Sequence, residues 1–154
     1  MTRAKFHFTV PGEPCGKGRA RATIRAGRAA MYTPAKTVSY EAQVKFFAQQ
    51  VHKTQLIEGP VALHIQALFG IPKSWSKKKL AQLESGEIKG FATKKPDNDN
   101  IQKIVADALN GVVWKDDSQV VSSFCTKYYG LTPGVTVWIE ELADDANYLM
   151  KALA

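Results

Sequence analysis

The sequence lacks the features that mark secreted, membrane-bound or zinc-dependent proteins. Its two cysteines, Cys15 and Cys125, do not show the paired spacing of zinc or redox motifs. No apolar run approaches the roughly 18 to 20 residues that span a bilayer, and the N-terminal segment has no continuous apolar stretch like that of a signal peptide. We therefore expect a cytoplasmic protein with reduced thiols and no membrane partner.

Histidine clusters, repeats and linkers are also missing. The three histidines, His7, His52 and His64, lie far apart without ligand-like spacing, so zinc chemistry has little support. The chain of 154 residues has no internal repeat, low-complexity tract or linker. Its length suits one domain with an adequate core, and we expect a single domain over residues 1–154.

Acidic residues are scarce in the first part of the chain. Residues 1–60 hold 10 Lys and Arg against 3 Asp and Glu, whereas residues 61–154 hold 11 of each kind. The whole formal net charge of +7 therefore comes from the first part. Such a surplus suits contact with a polyanion such as nucleic acid, although an acidic protein or membrane surface would also fit.

Hydrophobic periodicity predicts a chain that contains both strands and helices. Period-two alternation or β-rich composition marks four strands, and helical spacing or caps mark three helices. The predicted strands are 4–10, 61–69, 119–129 and 135–141. The predicted helices are 37–52, a short helix capped by Ser76, and 99–110. Leu80 and Leu83 of the short helix are expected to face inward. The tail 144–154 is a possible last helix, with Leu149, Met150 and Leu153 docking on the body or on a second subunit.

The segment 11–36 is predicted to be a mobile basic loop or ribbon, because glycines punctuate a run of cations. Its charge density favours contact with DNA phosphates over a merely soluble ribbon. The candidate DNA-binding residues here and just before the acidic segment are Lys17, Arg19, Arg21, Arg25, Arg28, Lys94 and Lys95. The tryptophans Trp75, Trp114 and Trp138 are interpreted as core residues rather than base-stacking platforms.

Carboxylates cluster around the third helix. Pro96 disfavours helix before it, so the chain should still be extended at Asp97 and Asp99, which would then point to one side. Lys103 lies one helical turn after Asp99, and Asp107 one turn after Lys103. The pair Asp116 and Asp117 follows the helix and can return towards it.

Converging carboxylates are what Mg²⁺ needs, because it takes oxygen ligands and keeps waters for substrate phosphates. The metal would activate an attacking water, and Lys103 would stabilise charge on a phosphate. The simpler alternatives remain open: Asp97 or Asp99 as a helix cap, Asp99 with Lys103 as a surface ion pair, and Asp116 with Asp117 as a polar turn.

These residues resemble the RusA-type Holliday-junction resolvases of bacteria and prophages. The family pattern Asp-x-Asp-Asn-x-x-Lys-x-x-x-Asp-Ala-Leu, followed by Asp-Asp-x-Gln-Val, is met by residues 97–109 and 116–120. The opening is also similar, with Gly-Glu-Pro at 12–14, Lys-Gly-Arg at 17–19 and Tyr-Thr-Pro-Ala-Lys at 32–36. The similarity extends from residue 6 to about 140.

The resemblance implies an α/β (α+β) fold with helices packed on a mixed sheet of about four to five strands. It also implies a homodimer that makes paired symmetric nicks in four-way DNA junctions, in recombination and repair, with Mg²⁺ or substituting Mn²⁺. It implies that Asp97, Asp99 and Asp117 bind the metal and that Lys103 is catalytic. Asp107 and Asp116 match supporting acidic positions. Pro96 departs from members with a basic residue there, and Lys94 or Lys95 can supply that phosphate contact. Two rivals remain: a less selective branched-DNA nuclease, and a non-catalytic nucleic-acid-binding protein.

Overall fold

A four-stranded mixed sheet forms the centre of the fold in the computed structural model, which describes residues 3–143. Its elements confirm the predicted α+β class. In chain order they are β1 (Lys5–Pro11), β2 (Arg21–Arg25), β3 (Arg28–Tyr32), α1 (Ala35–Val51), β4 (Val61–Gly70), α2 (Lys77–Ser85), α3 (Asn98–Ala108), a 3-10 turn (Asp117–Gln119), β5 (Val120–Gly130) and β6 (Gly134–Glu141). The possible tail helix over 144–154 lies outside the described residues.

The sheet has the strand order β1-β6-β4-β5. β4 runs parallel to β5 and antiparallel to β6, and β6 is antiparallel to β1. Every second residue of β4 from Val61 to Phe69 is buried, as the period-two alternation predicts. That buried face packs against α1 and α3, which places α3 beside the edge strand β5.

α3 is amphipathic as the sequence predicts, with Ile101, Ile104 and Val105 fully buried. After it, the loop carries Trp114, which is also fully buried. The core prediction is therefore right for Trp114. It is wrong for Trp138, which is 37% exposed because its β6 position points to the face of the sheet that no described helix covers.

α2 begins and ends where the sequence predicts. The hydroxyl of Ser76 accepts a hydrogen bond from the backbone N–H of Lys79, and Gly86 ends the helix in the left-handed conformation. Leu80 and Leu83 are only half-buried, and no residue of α2 is fully buried. The helix therefore adds little to the core.

No helix among residues 3–143 is long and apolar enough to cross a membrane.

Candidate functional site

The N-terminus of α3 separates the first two predicted carboxylates. Asp97 is the N-cap residue, with extended backbone, and Asp99 already lies in the first helical turn. The premise of an extended chain through Asp99 was therefore wrong, because residues two apart on a helix do not share a face. The side chain of Asp97 accepts no capping hydrogen bond. Its carboxylate is thus exposed and not used to start the helix.

Three predicted catalytic residues line one surface pocket, which we call the acidic pocket. Asp99 and Lys103 reach it from successive turns of α3, and Asp117 reaches it from the 3-10 turn that leads into β5. The pocket has a volume of about 330 Å³. Its remaining lining residues are Leu63, Gln102, Ala106, Val120 and Ser123. Packing of α3 beside β5 therefore unites residues that are 18 positions apart in sequence.

The 3-10 turn that carries Asp117 is fixed at both ends. The side-chain amide of Gln119 donates hydrogen bonds to the carbonyls of Ile57 and Gly59, at 2.7 and 3.0 Å. The side-chain amide of Asn110 donates to Asp117 Oδ1 at 3.4 Å. Sequence reasoning missed both residues as parts of the site. The Asp-x-x-Gln spacing before a helical turn was the available signal, since it is typical of a capping box.

Asp116 has a different environment from its neighbour. Its carboxylate accepts a hydrogen bond from the backbone N–H of Ser118 at 3.1 Å, while Gln119 Oε1 accepts from the N–H of Asp116. Hydrogen bonds from Ser118 lower the pKa of the Asp116 carboxyl below its ordinary value. Asp116 therefore caps the turn, as the polar-turn alternative proposed, whereas Asp117 faces the pocket.

A chain of alternating charges connects α3 with α1. Lys103 Nζ lies 3.8 Å from Asp107 Oδ2, and Lys17 Nζ lies 3.1 Å from the same oxygen. Lys17 Nζ also donates to Glu41 Oε1 at 2.5 Å. Burial alone would lower the pKa of Lys17, but these two carboxylates outweigh it and raise the pKa. Glu41 was missed by sequence reasoning, which had no signal for this long-range pair.

The chain of alternating charges bears on the alternative that Asp99 and Lys103 form a surface ion pair. Among the described residues Lys103 pairs with Asp107, and no ion pair joins it to Asp99. Lys17, a predicted DNA-binding residue, is held between two carboxylates instead of standing free at the surface.

A second surface depression, which we call the basic pocket, lies at the start of α3. It has a volume of about 530 Å³ and places Asp97 among the cations Arg21, Lys36 and Lys95. Lys36 was not among the predicted contacts. The segment Gly16–Gly18 forms its wall, and the backbone N–H of Lys17 donates to the carbonyl of Asn100 at 3.0 Å. This part of the predicted mobile loop is tied to α3.

The other predicted basic residues lie further out. Lys94 Nζ sits 5.5 Å from the centre of the Phe69 ring, and the Lys94 carbonyl accepts from Lys127. Arg25 and Arg28 flank the tip of a hairpin formed by β2 and β3, and Arg19 is exposed just before it. Ala26 and Gly27 form the tip, both with positive φ, as a tight two-residue hairpin turn requires. The ribbon prediction is confirmed.

The three predicted metal ligands do not converge. Within residues 3–143 no group of three Asp, Glu, His or Cys side chains is close enough to hold a metal. Asp99 and Asp117 share the acidic pocket, and Asp97 lines the adjoining basic pocket. Two carboxylates with space for waters and a phosphate nevertheless match the oxygen-only, water-retaining coordination of Mg²⁺.

Comparison with known proteins agrees with the geometry. The family described as "Endodeoxyribonuclease RusA" matches residues 11–140, which include both pockets and the hairpin. The chain is also 42% identical over 138 residues to "Uncharacterized protein YqaN" of Bacillus subtilis (strain 168), across 88% of this chain and 96% of that protein. The chain therefore belongs to the RusA family of endodeoxyribonucleases.

Proposed function

We propose that this protein is a Mg²⁺-dependent endonuclease that resolves Holliday junctions by paired symmetric nicks, in recombination and repair of chromosomal or prophage DNA. The observation that carries the proposal is the acidic pocket, where Asp99, Lys103 and Asp117 face one open volume at the surface. Family membership supplies the reaction class, which is hydrolysis of DNA phosphodiester bonds.

The donor set supports a hard divalent cation. Mg²⁺ in nucleic-acid enzymes is commonly held by one or two carboxylates, with waters and substrate phosphates as the other ligands. Asp99 and Asp117 would hold the ion, and Asp97 would join them from the adjoining pocket. Mn²⁺ suits the same oxygen ligands and would substitute. A bound ion would offset phosphate charge and lower the pKa of an attacking water.

Lys103 would stabilise the charge that builds up on the scissile phosphate. Its side chain is mostly exposed at the pocket, and Asp107 lies 3.8 Å from its ammonium group. The ion pair restricts the ammonium without burying it. Hydrolysis by water would leave 3′-hydroxyl and 5′-phosphate ends, which a ligase can seal.

The cations of the basic pocket and of the hairpin support binding of DNA through its backbone. Arg21, Lys36 and Lys95 would hold phosphates beside Asp97, and Arg19, Arg25 and Arg28 would extend that contact along the hairpin. Such contacts are largely blind to sequence and weaken as salt rises. Lys94 is exposed, with its ammonium group 5.5 Å from the centre of the Phe69 ring, and would contribute mainly to the local field.

Symmetric nicks need two active sites, so we propose a homodimer. The central sheet and α1 each have an apolar surface that is open to a second copy within the described residues. One is the outer face of the sheet, where Trp138 stacks on His64 with ring centres 5.0 Å apart. The other is the outer side of α1, where Val38 and Phe46 are exposed. Trp138→Glu and Phe46→Glu, compared by analytical ultracentrifugation, would identify the interface, since only the one at the interface would yield monomers.

The decisive experiment uses a synthetic four-way junction in Mg²⁺ with nicks mapped on every strand. Asp97→Asn, Asp99→Asn and Asp117→Asn should each abolish nicking and retain junction binding, because removing acidic charge does not weaken attraction to phosphate. Asp116→Asn is the matched control, since it changes the adjacent carboxylate in the same turn. Retained nicking by all three variants would overturn the proposal.

The two rivals give different results in the same assay. A less selective nuclease would cut flaps, forks and linear duplexes at rates comparable with the junction. A non-catalytic DNA-binding protein would bind the junction but leave it intact in both Mg²⁺ and Mn²⁺. The exposed carboxylates of the acidic pocket favour catalysis over this last alternative, because an acidic surface opposes phosphate binding unless a cation intervenes.

A further inference from the structure

The β2–β3 hairpin has two unlike faces. Its antiparallel register pairs Arg25 with Arg28 and Ile24 with Ala29, and side chains alternate between the two faces. One face therefore carries Arg21, Arg25, Arg28 and Tyr32. The opposite face is entirely apolar and carries Ala22, Ile24, Ala29 and Met31. The hairpin is thus a ribbon with a basic face and an apolar face.

The apolar face of the ribbon is uncovered within the described residues. Ile24 is 78% exposed and Met31 is 67% exposed. The two strands form a separate sheet that pairs with no strand of the central sheet. A two-stranded hairpin is marginally stable in water, so it gains from a partner that covers its apolar face.

The charge around the ribbon favours nucleic acid as that partner. No acidic residue occurs between Glu13 and Glu41, and Arg19 adds a further exposed cation at the base of the ribbon. Packing of two ribbons by their apolar faces would leave both arginine faces pointing outward without an opposite charge. Nucleic acid offers phosphates to the basic face of the ribbon and bases to its apolar face.

We propose that Ile24 and Met31 insert among the bases at the branch point of a DNA junction, while the arginines of the other face bind the flanking phosphates. Aliphatic side chains are known to wedge between base steps and unstack them, and a two-stranded ribbon matches the width of a DNA groove. The branch point is where continuous stacking is already interrupted, so insertion costs least there. The inference rests on the proposed junction-resolving function and adds the element that recognises the branch.

The position of the ribbon relates this contact to the basic pocket. Arg21, at the start of β2, lines the basic pocket beside Asp97, whereas Ile24 lies three residues further along the strand. Three residues of strand span on the order of 10 Å. That length corresponds to about three nucleotides of a DNA strand. The phosphates held at the basic pocket should therefore lie within a few nucleotides of the branch point.

The test uses a four-way junction carrying 2-aminopurine at the branch point, with Ca²⁺ in place of Mg²⁺ so that the DNA stays intact. Ile24→Thr combined with Met31→Thr keeps strand-forming residues but removes the apolar surface. Leu131→Thr is the control, since Leu131 is an exposed aliphatic residue in the β5–β6 loop. Circular dichroism and thermal melting establish that each variant is folded.

We expect the wild-type protein and the control to raise the 2-aminopurine fluorescence, because the base becomes unstacked. The double variant should lose this rise and about tenfold of its preference for the junction over linear duplex, equivalent to roughly 1.4 kcal/mol. It should keep the salt dependence of binding, because its arginines are intact. Arg21→Gln with Arg25→Gln should show the opposite pattern, with a weaker salt dependence.

An unchanged fluorescence rise and junction preference in the double variant would overturn the inference and leave the proposed function standing. Absence of junction nicking by the wild-type protein in Mg²⁺ would overturn both. A double variant that changes from dimer to monomer would also overturn the inference, since the apolar face would then contact a second copy.

Discussion

The side-chain carbonyl of Asn110 accepts a hydrogen bond from the indole N–H of Trp114 at 2.9 Å. Trp114 is fully buried and its indole nitrogen can only donate, so the amide of Asn110 must turn its oxygen towards Trp114. Its NH₂ group is then left to face Asp117 Oδ1, 3.4 Å away. The buried Trp114 therefore determines that the NH₂ group of Asn110, and not its carbonyl, faces Asp117 in the acidic pocket.

The first prediction separates this positioning role from stability. Asn110→Asp keeps an acceptor for Trp114 but turns a carboxylate towards Asp117, whereas Asn110→Ala removes both hydrogen bonds. Both variants should nick junctions about tenfold or more slowly, as is typical when a group that orients a metal ligand is lost. Only Asn110→Ala should also lose roughly 1–3 kcal/mol of stability, because the indole N–H is left unsatisfied.

Single-turnover nicking rates and urea denaturation measure the two effects independently. Junction affinity in Ca²⁺ should stay near the wild-type value in both variants, since Asn110 lies beneath the pocket. A wild-type nicking rate in Asn110→Asp would show that the orientation of Asp117 does not depend on Asn110.

Periodicity and caps predicted most of the fold because they are local properties of the chain. The buried alternation of β4, the apolar stripe of α3 and the Ser76 cap of α2 each arise from residues a few positions apart. The faces of the sheet were harder to assign. Trp138 lies in a β6 pattern that resembles a core strand, and only the absence of a described helix on that side leaves it exposed.

The candidate site was likewise predicted where local spacing determines it and missed where packing between elements does. The motif grouped the candidate site residues, and three of them, Asp99, Lys103 and Asp117, line one pocket. The relation between Asp97 and Asp99 was predicted wrongly because a one-residue error in the start of α3 changes the face on which Asp99 lies. The pairing of Lys17 with Glu41 and Asp107 depends on how α1 packs against α3, which no local pattern encodes.

The second prediction concerns whether Lys17 binds DNA or the protein itself. Lys17→Met leaves Glu41 and Asp107 without their shared cation and should cost roughly 1–3 kcal/mol, less than the loss from a fully buried pair because the site is partly exposed. The dependence of junction affinity on salt should not change. Arg21→Gln should lower that salt slope by about one unit for a lost phosphate contact.

Lys5→Met is the control for the loss of a lysine, since within residues 3–143 Lys5 makes a single, exposed ion pair, with Glu140 at 3.8 Å. Thermal melting and binding titrations at several salt concentrations give both quantities. A reduced salt slope in Lys17→Met, with stability unchanged, would mean that Lys17 leaves its carboxylates to bind phosphate.

The third prediction tests the contact between the basic segment and α3. A Cβ atom at Gly16 would lie 2.7 Å from Cβ of Pro96 and 3.2 Å from Cβ of Asn100, both in rigid surroundings. Gly16→Ala should therefore destabilise the protein by about 1–3 kcal/mol, as overpacking does. It should also slow nicking, because Pro96 must shift and Asp97 follows it directly.

Gly59→Ala provides the comparison, since its Cβ would meet only Glu141 Oε1 at 3.7 Å. Its melting temperature and nicking rate should both stay close to wild type. Equal behaviour of the two alanine variants would mean that the segment 16–18 is not packed on α3.

The last prediction concerns Tyr40, whose hydroxyl is buried without a hydrogen-bond partner among the described residues, with the residue 6% exposed. Tyr40→Phe removes this unsatisfied group and should stabilise the protein by about 1 kcal/mol, or roughly 2–4 °C in melting temperature.

Burial raises the pKa of Tyr40. The unfolded chain therefore ionises first, so wild-type stability falls as the pH rises above about 10, and the phenylalanine variant lacks that loss. The advantage of Tyr40→Phe should grow in alkaline melts, and Tyr32→Phe, at an exposed position, is the control for loss of a tyrosine hydroxyl. A lower melting temperature for Tyr40→Phe would reveal a hydrogen bond to the hydroxyl, as to a bound water.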